Sequence, residues 1–455
     1  MKSIFAKHAL LPQGWITDVR LEIDATGKIA TLVQDTTPMP QDTCVKTLLP
    51  AIANLHSHIF QRAMAGMSER RGDTEDSFWS WRDLMYRFLE VLTPDDIEAI
   101  AALAFMEMQE AGFAAVGEFH YLHHRPDGQP YDKLSEMSER IFAAAAQSQI
   151  GLTHLPVLYT YGGAERASLK GGQRRFGNDL DRFNKLMDGA KNGLADLPKD
   201  ANIGIAPHSL RAIDPLQLQQ LIAMHPVGPV HIHIAEQILE VQQISAWLGT
   251  PPVDFLVQNI GIDARWCLIH ATHMNVEETA ILASSGAVAG LCPVTEANLG
   301  DGVFNGAEYL AAGGIFGVGT DSNINISLSE ELRTLEYSQR LMHRERNIMA
   351  EENTSVGEIL YKGAATGGAR ALGRNSGEIK LGHWADLVAI DPDSMALAAL
   401  RPDQWLDGWV FAGSNRVVRD VWSAGRHCVI EGQHIRRAEI EHRYRKMLRN
   451  VLSKI

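Results

Sequence analysis

Two histidines separated by one residue, His56 and His58, end the apolar run that begins at Leu48. Alternate side chains of a strand share a face, so both imidazoles project the same way, about 6–7 Å apart along the backbone. Neutral imidazole nitrogens bind Zn²⁺ or Fe²⁺, so the pair reads as half of a metal site. Other polar residues fall where further apolar runs stop. One run carries His231 and His233 and is followed by Glu236; a second is followed by His270 and His273; a third leads through Gly319 and Thr320 to Asp321. A lone strand-end histidine is commonly structural, but several in one chain point to a shared centre. The expectation is that His56, His58, His233 and Asp321 converge on one ion with a position left for water. Neither His231 nor His273, which lies a turn beyond His270, is assigned.

The elements that must carry these residues repeat as strand, loop, helix. Apolar runs at 48–58, 113–118, 150–158, 203–206, 230–234, 266–269, 287–291 and 315–318 suit buried parallel strands. The stretch 94–111 between two of them reads as a helix: Thr93 can cap it, Pro94 suits its first turn, Asp95 and Asp96 face its positive end, and Gly112 stops it. Eight such units predict an α/β fold, a (β/α)₈ TIM-like barrel over 48–374, with its chemistry at the C-terminal strand ends. An open doubly wound sheet is the competing architecture. Short strand-like runs flank the barrel on both sides, at 19–23 and 29–33 and again at 377–382, 385–390, 417–422 and 428–430. They predict a small β-sandwich domain built from both chain ends, 1–47 and 375–455, with a closing helix over 436–455.

The chain has 455 residues, 45% hydrophobic and 21% charged, as an ordinary globular protein does. Its net charge of −13 and lack of a basic run argue against nucleic acid and against an anionic membrane surface. Cys44, Cys267, Cys292 and Cys428 form no Cys-x-x-Cys pair, so neither a disulfide framework nor a cysteine metal site is expected. The first residues lack a signal-peptide pattern, and no uncharged run approaches the roughly 20 residues needed to cross a bilayer. A reducing cytoplasm is the expected setting. Two arginines near strand ends or loops, Arg82 and Arg211, suggest a small anionic substrate, since guanidinium pairs with carboxylate bidentately. Arg82 sits in the aromatic segment 78–82, expected to belong to a long loop. Gln61, Tyr121 and His208 also follow strand runs.

The set His56-x-His58, His233 with Glu236 three residues on, His270 and Asp321 resembles the amidohydrolase superfamily, over nearly the whole chain. It is similar to the deaminase branch that uses one metal, because the fourth run ends in Ala206-Pro207-His208 and offers no lysine to bridge two. The resemblance implies one Zn²⁺ per subunit, with Fe²⁺ as the alternative, and a metal-activated water. It assigns Glu236 as acid and base, His270 as a hydrogen-bond donor to the reacting centre, and Asp321 as ligand and orienting group. The segments 58–64, 78–82, 118–121 and 207–211 resemble the formiminoglutamate-deiminating members. They imply hydrolysis of N-formimino-L-glutamate to N-formyl-L-glutamate and ammonia, a step of histidine breakdown. Gln61, Arg82, Tyr121, His208 and Arg211 would then bind the glutamate part, and a homodimer is the expected assembly. The alternative is a deaminase of a ring such as guanine or cytosine, which calls for stacking aromatics and amide donors in place of two arginines.

Overall fold

The computed structural model describes residues 2–71 and 78–455. Nine strand segments form the central layer: β5 (Ile52–Ser57), β6 (Phe113–His120), β7 (Gly151–Leu158), β8 (Asn202–Ile203), β9 (Ala206–Pro207), β10 (Val230–Ile234), β11 (Trp266–His270), β12 (Val288–Leu291) and β13 (Ile315–Val318). They pair in parallel as two arcs, β5-β6-β7-β8 with β9 also on β7, and β10-β11-β12-β13. Single parallel bridges join the arcs at both seams. Ile205 to Val230 and Ser209 to His233 make one seam, and Ser57 to Asp321 makes the other. Every residue of β6 and β7 is buried, as expected for strands covered by side chains within and by helices outside. The helix Pro94–Glu110 starts as its sequence dictates: the Asp96 amide donates to Thr93 Oγ1 at 3.3 Å and the Thr93 amide donates to Asp96 Oδ2 at 3.0 Å.

Four local readings of the sequence need correction. The run 48–58 is not one strand: Leu48 to Pro50 end β4 (Thr43–Pro50) of another sheet, and β5 begins only at Ile52. Apolar continuity hides the break because both pieces are buried. The run 203–206 is likewise two short pieces, separated by Gly204 and Ile205 and ended by Pro207, which has no N–H to donate. Arg82 does not lie in a loop. Residues 72–77 fall outside the described residues, and Phe78–Val91 is a helix whose Met85, Phe88 and Leu89 are buried at helical spacing. Finally, 377–382 contains no strand, and the helix Trp405–Ala412 has no counterpart in the sequence reading.

The remaining strands form the end domain. They are β1 (Lys2–Leu11), β2 (Gly14–Ile23), β3 (Ile29–Val33), β4, β14 (Leu387–Ile390), β15 (Val418–Ser423), β16 (Arg426–Ile430) and β17 (Gln433–His434). One hydrogen-bonded path, β17-β16-β15-β14-β4-β1-β2-β3, runs through all eight. β4 is shared: its first residues pair with β1, and Leu49 and Pro50 pair with β14. Among the described residues, no helix is long and apolar enough to cross a membrane.

A buried ionic cluster ties this domain to the barrel. Arg374 donates to Asp386 at 2.6 and 2.9 Å and to Asp200 Oδ2 at 2.9 Å, and Arg426 on β16 grips Asp200 with two bonds of 2.7 Å. Burial works to raise the Asp200 carboxyl, but Arg426 and Arg374 outweigh it and hold it below the usual carboxylate range. Because its value is depressed on folding, Asp200 contributes stability that is complete above the unfolded value of about 3.9 and is lost as pH falls through the folded value. Arg374→Met leaves two buried carboxylates short of a partner and is expected to destabilise the fold by about 3–5 kcal/mol. Urea unfolding at neutral pH measures this, and the same variant should show a smaller loss of stability between pH 5 and 3 than the parent chain.

Candidate active site

Three imidazole nitrogens meet at the C-terminal end of the barrel. His56 Nε2 lies 3.2 Å from His58 Nε2 and 3.1 Å from His233 Nε2, and His58 and His233 are 3.3 Å apart. Asp321 Oδ1 stands 3.5 Å from His56 and 3.3 Å from His58. His58 Nδ1–H donates to the Phe119 carbonyl at 3.0 Å and His233 Nδ1–H to the His208 carbonyl at 3.1 Å, which leaves each Nε2 with a lone pair aimed inward. Burial disfavours protonation of all three, and it takes His56 down to about 3 even against the pull of Asp321. The lone pairs of His58 and His233 facing one another repel unless a cation lies between them, and His56 Nε2 completes the same triangle. A tetrahedral ion at about 2.0–2.1 Å from each nitrogen would space them about 3.3–3.4 Å apart, so the donor set fits a divalent metal.

The backbone is bent to make this meeting. Ala235, His270, Ala271 and Asp321 all take left-handed φ values, between 44° and 69°. Such residues cost of order 1–3 kcal/mol each and persist only where the surroundings hold them. Gly319 permits the closest approach, since a Cβ there would sit 2.7 Å from the His56 carbonyl oxygen.

Glu236 and His270 flank the metal group. Glu236 Oε1 lies 3.8 Å from His270 Nε2, and His270 Nε2 lies 3.9 Å from Asp321 Oδ2. Burial raises the Glu236 carboxyl, opposed by the charges of His270 and Arg211. Burial also works against a charged His270, but Glu236, Glu296 and Asp321 outweigh it and lift the imidazole to about 10. Arg211 Nη2 sits 3.9 Å from Glu236 and 4.0 Å from the buried Glu240, whose carboxylate accepts the Glu236 amide at 3.2 Å. Arg211 is therefore placed against Glu236 and Glu240 as well as against the cavity. The two histidines left unassigned are structural: His231 Nε2 donates to the Ala371 carbonyl at 2.7 Å and His273 Nε2 to the Asp301 carbonyl at 2.7 Å.

A cavity of about 510 Å³ opens over this group. Its lining brings together His58, His233, Asp321, Glu236 and His270 with Gln61, Arg82, Tyr121, His208 and Arg211, while His56 is buried behind them. Gln61 Nε2 donates to Tyr121 Oη at 2.8 Å. The His208 ring packs 4.6 Å from Tyr159, and burial, then the charge of Arg211, keeps it neutral. The sequence reading missed Trp81, Tyr86 and Tyr159 on the cavity wall. A helical reading of 78–91 would have found Tyr86, one turn beyond Arg82 and 5.5 Å under its guanidinium, and Tyr159 directly follows the run 150–158. Since ligand binding to the folded state alone stabilises it, chelation is expected to lower the thermal midpoint and added Zn²⁺ to restore it, by about 4 kcal/mol at a thousandfold excess over the dissociation constant. His233→Ala should abolish the zinc response in the same melting experiment.

Comparison with known proteins agrees with this geometry. The sequence model of the Amidohydrolase family matches residues 47–428, and one described as the N-terminal domain of formimidoylglutamate deiminase HutF matches residues 1–44. The chain is 46% identical to the formimidoylglutamate deiminase of Pseudomonas aeruginosa, covering 95% of this chain and 96% of that one. It is 27% identical to a 5-methylthioadenosine/S-adenosylhomocysteine deaminase of Bacillus cereus, over 85% of this chain and 82% of the relative. Among solved structures, an amidohydrolase from Brucella melitensis superposes with a TM-score of 0.95 at 48% identity, over 99% of this chain and 100% of that one. A zinc-bound adenosine deaminase from Xanthomonas campestris shares the fold at a TM-score of 0.80 and 20% identity, over 99% and 98%. With its histidines, its aspartate and its strand ends in this arrangement, the chain belongs to the amidohydrolase family.

Proposed function

We propose that this chain hydrolyses N-formimino-L-glutamate to N-formyl-L-glutamate and ammonia, with one Zn²⁺ held by His56, His58, His233 and Asp321. The observation that carries the reading is the cavity wall, where Arg82 and Arg211 share one space with the metal group. Two guanidinium groups suit the carboxylates of a small dianion, and His58 and His233 line the same cavity, where the formimino carbon would react. The 46% identity to the Pseudomonas aeruginosa deiminase supports the same reaction.

When bound, the ion would supply Lewis acidity and make a water nucleophilic at neutral pH. The chain's own groups do the rest. Glu236 takes a proton from the attacking water as its oxygen bonds to the formimino carbon, and later delivers it to the nitrogen that leaves. Burial raises this carboxyl, which suits it to both halves of the exchange. His270, itself buried, donates from Nε2 to the substrate nitrogen or to the tetrahedral carbon's substituents. As the C–N bond breaks, ammonia departs and the formyl oxygen stays. Gln61, Tyr121 and His208 offer uncharged hydrogen bonds to the glutamate part, with Arg82 and Arg211 supplying the charge.

The wall also carries Trp81, Tyr86, Tyr121, Tyr159 and Phe176, and such aromatics alone would suit a flat ring. The arginines favour the dianion over it. Cys267, Cys292 and Cys428 are buried free thiols, which supports a cytoplasmic setting.

Ammonia release should be seen with N-formimino-L-glutamate and be absent with guanine and cytosine; turnover of a ring alone would overturn the substrate. Glu236→Gln should lower kcat by about 10²–10⁴-fold and keep its metal. Arg82→Met should raise KM by about 10–100-fold with little change in kcat. Arg211→Met should harm both constants, because it also strips a charge from beside Glu236 and Glu240.

A further inference from the structure

Among the buried carboxylates around the cavity, Glu296 has no part in holding metal or substrate, yet it is built into the centre. It lies in the helix Pro293–Leu299 that follows β12, and it is 5% exposed. Its Oε1 accepts His270 Nδ1–H at 3.1 Å and the Cys292 amide at 2.9 Å. The opposite side of the same imidazole carries Nε2, which faces Glu236 at 3.8 Å and Asp321 at 3.9 Å.

We infer that Glu296 is a positioning residue for His270, holding the imidazole by Nδ1 so that Nε2 points at the reacting atoms. This rests on the reaction proposed above. A five-membered ring at a strand end can turn about its Cβ–Cγ bond, and a half turn puts carbon where each nitrogen was. His270 sits on a left-handed backbone at φ 69°. The second acceptor contact anchors Glu296 in turn, because the Cys292 amide belongs to the start of its own helix. A carboxylate partner on the far nitrogen fixes the orientation of a working histidine and keeps the hydrogen on that nitrogen, and loss of such a partner commonly weakens activity by about 10–100-fold.

Both hydrogens that Glu296 accepts go to one oxygen, which makes a clean test available. Glu296→Gln keeps that oxygen and should retain kcat within about threefold, whereas Glu296→Leu should lose about 10–100-fold in kcat with KM and metal content close to the parent's. Where Glu296→Leu fails to fold, Glu296→Asp, which withdraws the carboxylate by one methylene, takes its place. In a His270→Asn background, Glu296→Leu should cause no further loss, because its effect runs through His270. The His270 Nδ1–H proton, followed by ¹⁵N-edited NMR, should persist in the Gln variant and vanish in the Leu variant. A loss that multiplies with that of His270→Asn, a Gln variant as weak as the Leu variant, or an unchanged Leu variant would each overturn the inference. If the parent enzyme releases no ammonia from N-formimino-L-glutamate, the substrate reading fails, and the NMR comparison in the resting protein still decides the role of Glu296.

Discussion

The centre depends on how the first and last barrel strands are sewn together. At the C-terminal end of β5, just beyond the end of β13, the His58 amide donates to the Asp321 carbonyl and the Asp321 amide donates to the His56 carbonyl. Buried side chains lock this junction: Asn54 exchanges hydrogen bonds with Thr320, Thr320 donates to Asn323, and Asn323 donates to Ser57. Closing the barrel and bringing the aspartate to the histidines are thus one event. A polar network with every member satisfied is rigid in a dry interior, where any missing partner is expensive. The left-handed turn at Asp321 can persist because this network holds both sides of it.

From that junction the electrostatics follow. Four buried groups gather with their nitrogen and oxygen atoms within 4.8 Å. Imidazoles forced to be neutral by burial are poor neighbours for one another but good ligands for a cation. Around them lie Glu236, Glu240 and Glu296, balanced on the protein side by His270 and Arg211. The site is therefore a set of charges that are tolerable only together, and changing one alters the protonation of its neighbours.

Much of this was legible in the sequence, for a physical reason. Strands have a strict period of two, and barrel chemistry gathers at strand ends, so His56, His58, His233 and Asp321 could be placed by counting. The helix Pro94–Glu110 announced itself through its caps. The break at Ala51 did not, because two buried strands of different sheets look alike in composition. Arg82 was misplaced because the aromatic cluster before it masked the helical spacing of Met85, Phe88 and Leu89. Glu240 and Glu296 are placed by burial and by contacts with residues of other strand ends, and neither leaves a local pattern. The second face of Arg211, toward Glu236 and Glu240, is of the same kind.

The shared strand β4 sets an order on biosynthesis. Leu49 and Pro50 emerge from the ribosome early, but the strand they pair with begins only at Leu387. At about 5–20 residues per second, their backbone edge waits tens of seconds for its partner. β1, β2 and β3, by contrast, pair with one another and need no later strand to do so. Arg374 and Arg426, which bind Asp200, arrive at the same late stage. The nascent chain therefore carries an open sheet edge throughout barrel synthesis, the interval in which a chaperone that shields edges has most to do.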